Sequence, residues 1–84
     1  MEVTKTDLYW YEFISENPKF TGCVIDKNGS KYWFLNGKYH RTDGPACEWA
    51  NGYKEWYLNG ERLTEEEWTY TVRLKKLGEF LNGN

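Results

Sequence analysis

With 84 residues and a formal net charge of −2, the chain is one small domain with a thin core and no electrostatic case for gripping a phosphate backbone. Aromatics make up 19% of it, Trp occurring five times and Tyr seven, so large rings must supply buried area that few aliphatic residues can. No apolar run approaches the length of a membrane span, and no basic-then-apolar leader opens the sequence, which points to a cytoplasmic protein without a membrane partner.

Residues 1–7 are polar and are expected to fray. Residues 8–14 are almost all aromatic or aliphatic, broken only by Glu12, and this ring content predicts a strand. Pro18 ends that stretch by excluding Asn17 from the α region. The chain then writes one pattern twice. Asn28-Gly29-Ser30-Lys31-Tyr32-Trp33-Phe34-Leu35-Asn36-Gly37-Lys38 returns 23 residues later as Asn51-Gly52-Tyr53-Lys54-Glu55-Trp56-Tyr57-Leu58-Asn59-Gly60-Glu61. A constant offset shared by turn residues and large apolar residues marks a repeated supersecondary unit.

Each Asn-Gly pair tolerates the positive φ angles of a two-residue hairpin turn. Taken so, Asn28-Gly29 sets Asp26 opposite Lys31 and Val24 opposite Trp33, and Asn36-Gly37 sets Leu35 opposite Lys38 and Trp33 opposite His40. Asn51-Gly52 sets Cys47 against Trp56, Trp49 against Lys54 and, awkwardly, Glu48 against Glu55. That like-charge pair calls for either a slipped register or a partner's cation. Trp33, Leu35, Trp56 and Leu58 are the expected core face, with Tyr32, Phe34, Glu55 and Tyr57 on the wetter face. Cys23 and Cys47 fall out of phase between the units, so they are expected on opposite faces as free thiols.

After the second unit the pattern changes. Thr64 followed by Glu67 is a capping box, Leu63 with Trp68 has the spacing of a hydrophobic staple, and Glu65, Glu66 and Glu67 suit a helix N-terminus. A helix is predicted over 65–77, with Arg73, Lys75 and Lys76 toward its end and Gly78 stopping or weakening it. Tyr70, Leu74, Leu77 and Leu81 form the apolar stripe expected to lie on the sheet. The fold prediction is α+β. It comprises a twisted antiparallel meander of five or six short strands over 8–63, built from two 23-residue repeats, and a C-terminal capping helix over 64–81 packed on one face, all in a single domain over 1–84.

The stretch from Asn28 through Ala46, repeated in part from Asn51 through Gly60, resembles short repeats related in style to MORN repeats, of the pattern NGxKxW[FY]LNGKxHRxDGPA. Such units occur in tandem in proteins of bacteriophages and giant viruses, often ending in an E-E-E-[FW] helix like that beginning at Glu65. The match covers about half of the chain and includes fewer than two full copies. The resemblance implies interaction rather than catalysis.

His40, Arg41 and Asp43 are the one cluster that looks like a site, with His40 as a base oriented by Asp43 and Arg41 as an anion holder. No nucleophile accompanies them, and His40 maps onto Leu63 in the second unit, so the cluster reads better as a turn brace. One His and two out-of-phase Cys lack zinc spacing. Neither a cofactor nor a metal is expected, and the protein is not expected to be an enzyme. The leading expectation is a protein-binding module, an inhibitor or modulator of a host protein such as an anti-CRISPR or other anti-defence protein. Its partner would be a host protein with a basic surface, met in the host cytoplasm, at Tyr32, Glu55, Tyr57, Glu61, Glu65 and Glu66. A single-stranded nucleic-acid binder ranks second, since Tyr32, Phe34 and Tyr57 could stack on bases but lack interleaved cations. A purely structural repeat protein is a further alternative.

Overall fold

Four Asn-Gly turns fold the middle of the chain into a sheet, and two helices cover its opposite faces. The structure, a computed structural model, describes residues 3–81. In chain order the elements are β1 (Val3–Lys5), α1 (Trp10–Glu16), β2 (Gly22–Ile25), β3 (Lys31–Leu35), β4 (Lys38–Tyr39), β5 (Cys47–Glu48), β6 (Lys54–Leu58), β7 (Glu61–Leu63) and α2 (Glu65–Leu81). Every strand pair is antiparallel except β1 with β2, which is parallel at the sheet edge. Residues 3–5, expected to fray, are therefore tied down as a strand.

The turns are of two kinds. Asn36-Gly37 and Asn59-Gly60 have positive φ at both residues (51° and 81°, 50° and 84°). They set Leu35 against Lys38 and Leu58 against Glu61, the expected two-residue geometry. At the other two turns only the glycine is left-handed, with φ of 79° at Gly29 and 91° at Gly52. There Asp26 N–H donates to Ser30 O (3.0 Å) and Trp49 N–H to Tyr53 O (2.9 Å), closing three-residue loops.

That extra residue shifts the register by one. Val24 faces Tyr32 rather than Trp33, Cys47 faces Glu55 rather than Trp56, and Glu48 faces Lys54. Asp26 pairs with Ser30 rather than Lys31, and Trp49 with Tyr53 rather than Lys54. Asp26 explains the first shift, because its Oδ1 accepts the N–H groups of Asn28 (3.0 Å) and Ser30 (3.2 Å) and so fixes the longer loop. The slip also disposes of the clash between Glu48 and Glu55, with no outside cation needed.

β4 and β5 act as one interrupted strand. Both pair with the same edge of β3, β4 at Phe34 and Leu35, β5 at Lys31 and Tyr32. Trp33 sits at the break, its carbonyl accepting from His40 N–H (3.0 Å) and its N–H donating to Ala46 O (2.8 Å). Residues 41–45 are thus looped out of a strand whose two halves still face one residue.

The largest departure from expectation is the 8–14 stretch, whose core is helix α1 and not a strand. Trp10, Phe13 and Ile14 recur at three and four residues and pack on the core, while Tyr11, Glu12, Ser15 and Glu16 stay exposed. Glu12 Oε1 accepts Tyr9 N–H (3.0 Å), and Asp26 Oδ2, reaching from the first hairpin, accepts Trp10 N–H (3.2 Å). A buried carboxylate therefore joins the helix start to the turn.

Because α1 adds a second layer, the sheet is covered on both sides and the predicted core face holds for only half of it. Against α1 lie Val24, Tyr32, Phe34 and Cys47, ringed by Tyr39, Trp49 and Tyr57. Tyr32 and Phe34, expected to be wet, are each only 2% exposed. Trp33 and Leu35, expected as core, are half-buried. On the other face Trp68 and Val72 of α2 pack with Leu58, Trp56 and Leu63 of the sheet, and the Trp56 and Trp68 ring centroids are 4.7 Å apart. Strand alternation through Ala46 leaves Trp33 and Trp56 on this same face, as expected.

The capping box forms as written. Thr64 N–H donates to Glu67 Oε1 (2.9 Å), and Glu67 N–H to Thr64 Oγ1 (3.1 Å). Leu63 packs on the cluster that holds Trp68, as the staple requires. The staple fixes the helix's rotation. With Trp68 inward, Val72 follows one turn later, and Tyr70, Leu74 and Leu77 face outward. These three were expected on the sheet; the side chain of Leu81, the fourth, lies outside the described residues. Gly78 does not end the helix, which continues to Leu81.

Candidate interaction surface

The six residues expected at a binding surface do not form one patch. Tyr32 is in the core under α1, with its ring 5.8 Å from that of Trp10, and cannot serve as an exposed anchor. Glu55 and Tyr57 share its face of the sheet but are engaged with neighbours. Glu55 Oε2 pairs with Arg62 (3.0 Å), and its Oε1 accepts the Tyr57 hydroxyl (3.2 Å). Burial first, then the Glu55 charge, pushes the Tyr57 hydroxyl up, so it stays a donor. Glu61, Glu65 and Glu66 are exposed at the other end, at β7 and the start of α2.

What accompanies those glutamates is a different tyrosine. A shallow surface open to solvent and formed by α2 alone runs along its first turns, with Glu65, Glu66, Glu67, Thr69, Tyr70 and Arg73 around it. Tyr70 is 66% exposed. The sequence held the clue, since the staple that buries Trp68 turns a residue two positions on toward solvent. The surface is acidic on the N-terminal side and carries one arginine on the other. It would take a basic segment with an apolar group to lay over the ring.

The His40 cluster is assembled as a brace. Arg41 lies over the Trp33 ring (3.7 Å to the centroid), donates from Nε to Asp43 Oδ1 (2.8 Å), and from NH1 to Pro45 O (3.0 Å) and Glu48 Oε2 (2.9 Å). Its carbonyl accepts Trp68 Nε1–H (2.8 Å), which ties α2 to the looped-out segment. Asp43 is therefore oriented toward Arg41, whose hydrogen bond holds its carboxyl below the usual range. His40 Nδ1 instead accepts Asn59 N–H (2.9 Å). Burial, then the charge of Lys75, lowers its pKa, consistent with a neutral ring.

That contact belongs to a pattern. In the second unit's tight turn, Asn59 N–H reaches His40 and Gly60 N–H reaches Tyr39 O (2.8 Å). In the first, Asn36 N–H reaches Thr21 Oγ1 (2.9 Å) and Gly37 N–H reaches Phe20 O (2.9 Å). Each tight turn is docked on the chain segment before it by one side-chain and one backbone acceptor. Leu63, the residue equivalent to His40, offers no acceptor for a further turn.

Cys23 and Cys47 are free and buried on opposite faces. Burial pushes both thiols up, Cys47 to about 12. Among the described residues no helix is long and apolar enough to cross a membrane, and no group of three His, Cys, Asp or Glu is placed to hold a metal. Comparison with protein-family models, curated proteins and solved structures returns no match.

Proposed function

We propose that the protein is a non-enzymatic binding module that docks a basic surface of another protein onto the acidic start of α2. The carrying observation is the surface on which Glu65, Glu66 and Glu67 flank the exposed ring of Tyr70. Carboxylates around an aromatic anchor steer a cationic partner and give it a desolvated contact at the centre. Glu61 extends the acidic surface on β7. The likeness of the Asn-Gly repeats to those of bacteriophage and giant-virus proteins makes an inhibitor or modulator of a host protein, of the anti-CRISPR or other anti-defence kind, the concrete form of this reading. Its site of action would be the host cytoplasm.

The test is affinity capture from a bacterial lysate with the wild-type chain and with Glu65→Lys combined with Glu66→Lys. The capping pair Thr64 and Glu67 is untouched, so the reversal should cost only about 1 kcal/mol of helix stability. A protein retained by the wild type and lost by the folded variant supports the reading. Equal retention by both removes the acidic surface from it.

A further inference from the structure

The two tight turns dock alike but on side chains of different chemistry. Asn36 N–H is held by the Thr21 hydroxyl, an acceptor that does not titrate, whereas Asn59 N–H is held by a ring nitrogen of His40. A backbone N–H can only donate, so His40 Nδ1 presents a lone pair and the neutral ring carries its proton on Nε2. A second proton can enter the ring only at Nδ1, the atom the turn already occupies. It sets two donors against each other across 2.9 Å.

We propose that His40 is a proton-operated latch on the second tight turn, protonation of Nδ1 releasing Asn59 N–H and leaving the turn docked through its backbone half alone. That remaining half is Gly60 N–H on Tyr39 O (2.8 Å). The backbone of His40 is held separately, its own N–H donating to Trp33 O (3.0 Å). The half-buried ring can therefore swing toward water while β4 stays paired with β3. The released turn joins β6 to β7, and β7 runs through Leu63 into the cap of α2. Acid thus loosens the second unit at its helix-bearing end and spares the first turn, which rests on Thr21.

The charges around the ring set the range in which the latch works. Lys75 approaches it from α2, and Lys38 of β4 lies along Gly60 of the turn, its side-chain carbons 3.5 Å from where a methyl on Gly60 would sit. Both are cations and oppose a further positive charge at this point. Among the described residues no carboxylate pairs with the ring. Burial and Lys75 hold the folded ring neutral, so the latch is closed above the ordinary value of 6.5 and opens only as the pH falls below it.

Proton–nitrogen NMR spectra of the whole chain, followed from about pH 8 to about pH 5, test the latch. The His40 ring should show the Nε2–H tautomer at the top of the range and titrate with a midpoint below 6.5. The Asn59 amide should shift with that same midpoint. Hydrogen-exchange protection at Asn59 and Gly60 should fall several-fold through the transition, while that at Asn36 and Gly37 stays constant. His40→Asn places an amide oxygen where Nδ1 sits, so its turn should stay latched and the Asn59 shift should vanish. His40→Ala should show the released Asn59 amide already at the top of the range. An Nδ1–H tautomer, a midpoint at or above 6.5, or Asn36 and Asn59 responding together would overturn the proposal, and the wild-type titration alone decides each of these. An Asn59 shift that persists in folded His40→Asn would overturn it as well.

Discussion

Replacing Arg41 with alanine should be among the most damaging substitutions outside the apolar core. The side chain is only 17% exposed, and its guanidinium spans four groups: the Trp33 ring, Asp43, Pro45 O and Glu48. The stacking contact contributes about 1 kcal/mol. The bond to the Pro45 carbonyl and the half-buried pair with Glu48 contribute on the order of 1 kcal/mol each, because removal leaves partly desolvated acceptors. Asp43, 80% exposed, adds only a few tenths after solvent screening. The total is about 3 kcal/mol, or a fall in Tm of roughly 15 °C for a domain of this size. Urea unfolding followed by tryptophan fluorescence measures it. Asp43→Ala should cost less than about 0.5 kcal/mol, and Arg41→Lys should recover part of the loss by keeping a cation over Trp33 without the fork. An Arg41→Ala loss below about 1 kcal/mol, or an Asp43→Ala loss matching it, would refute the bracing role.

Three further outcomes follow from particular residues. His40 is held neutral with its pKa lowered by burial and Lys75, so the unfolded chain binds a proton more readily. Stability is full above the unfolded value near 6.5 and falls with pH down to the folded one, and His40→Gln should flatten that slope in urea titrations at pH 7 and 5.5. Gly37→Ala should be far worse than Gly29→Ala, although φ is positive at both. A methyl at 37 runs into the Pro18 carbonyl and one at 29 meets nothing, so thermal melts should separate about 1 kcal/mol at Gly29 from at least about 3 kcal/mol at Gly37. Cys23 and Cys47, buried with raised pKa values, should react with a thiol reagent only at the rate of unfolding, and prompt labelling of the native protein would contradict their placement.

The repeated Asn-Gly pattern made the four turns of the meander and the capped C-terminal helix legible, because turn and cap chemistry is local, whereas the parallel edge strand β1 carried no such signal. What it hid is the difference between a two-residue and a three-residue turn built on the same dipeptide. At Asn28-Gly29 the deciding signal is upstream, in an aspartate positioned to accept from the turn. One residue of slip then moves cross-strand partners to opposite faces. The 8–14 run was ambiguous because nearly all its residues are apolar. The polar set Glu12, Ser15 and Glu16, at helical spacing, separates helix from strand. Missing α1 assigned the sheet a single covered face, which misplaced Tyr32 and Phe34. In α2 two apolar faces compete, the stripe of Tyr70, Leu74 and Leu77 and the shorter pair of Trp68 and Val72. The staple between Leu63 and Trp68 decides for the shorter and leaves Tyr70 exposed. The acidic start was legible as charge, whereas its companion ring depended on helix rotation.

The acidic start of α2 as the docking surface is tested most directly by the association rate of the captured partner, measured by surface plasmon resonance against ionic strength. For the wild type, the rate constant should fall about tenfold or more between 20 and 300 mM salt, and Glu65→Lys with Glu66→Lys should lower the low-salt rate and flatten the dependence. A rate that ignores salt, or a charge-reversed protein that binds as fast as the wild type at both ends of the range, would contradict the account.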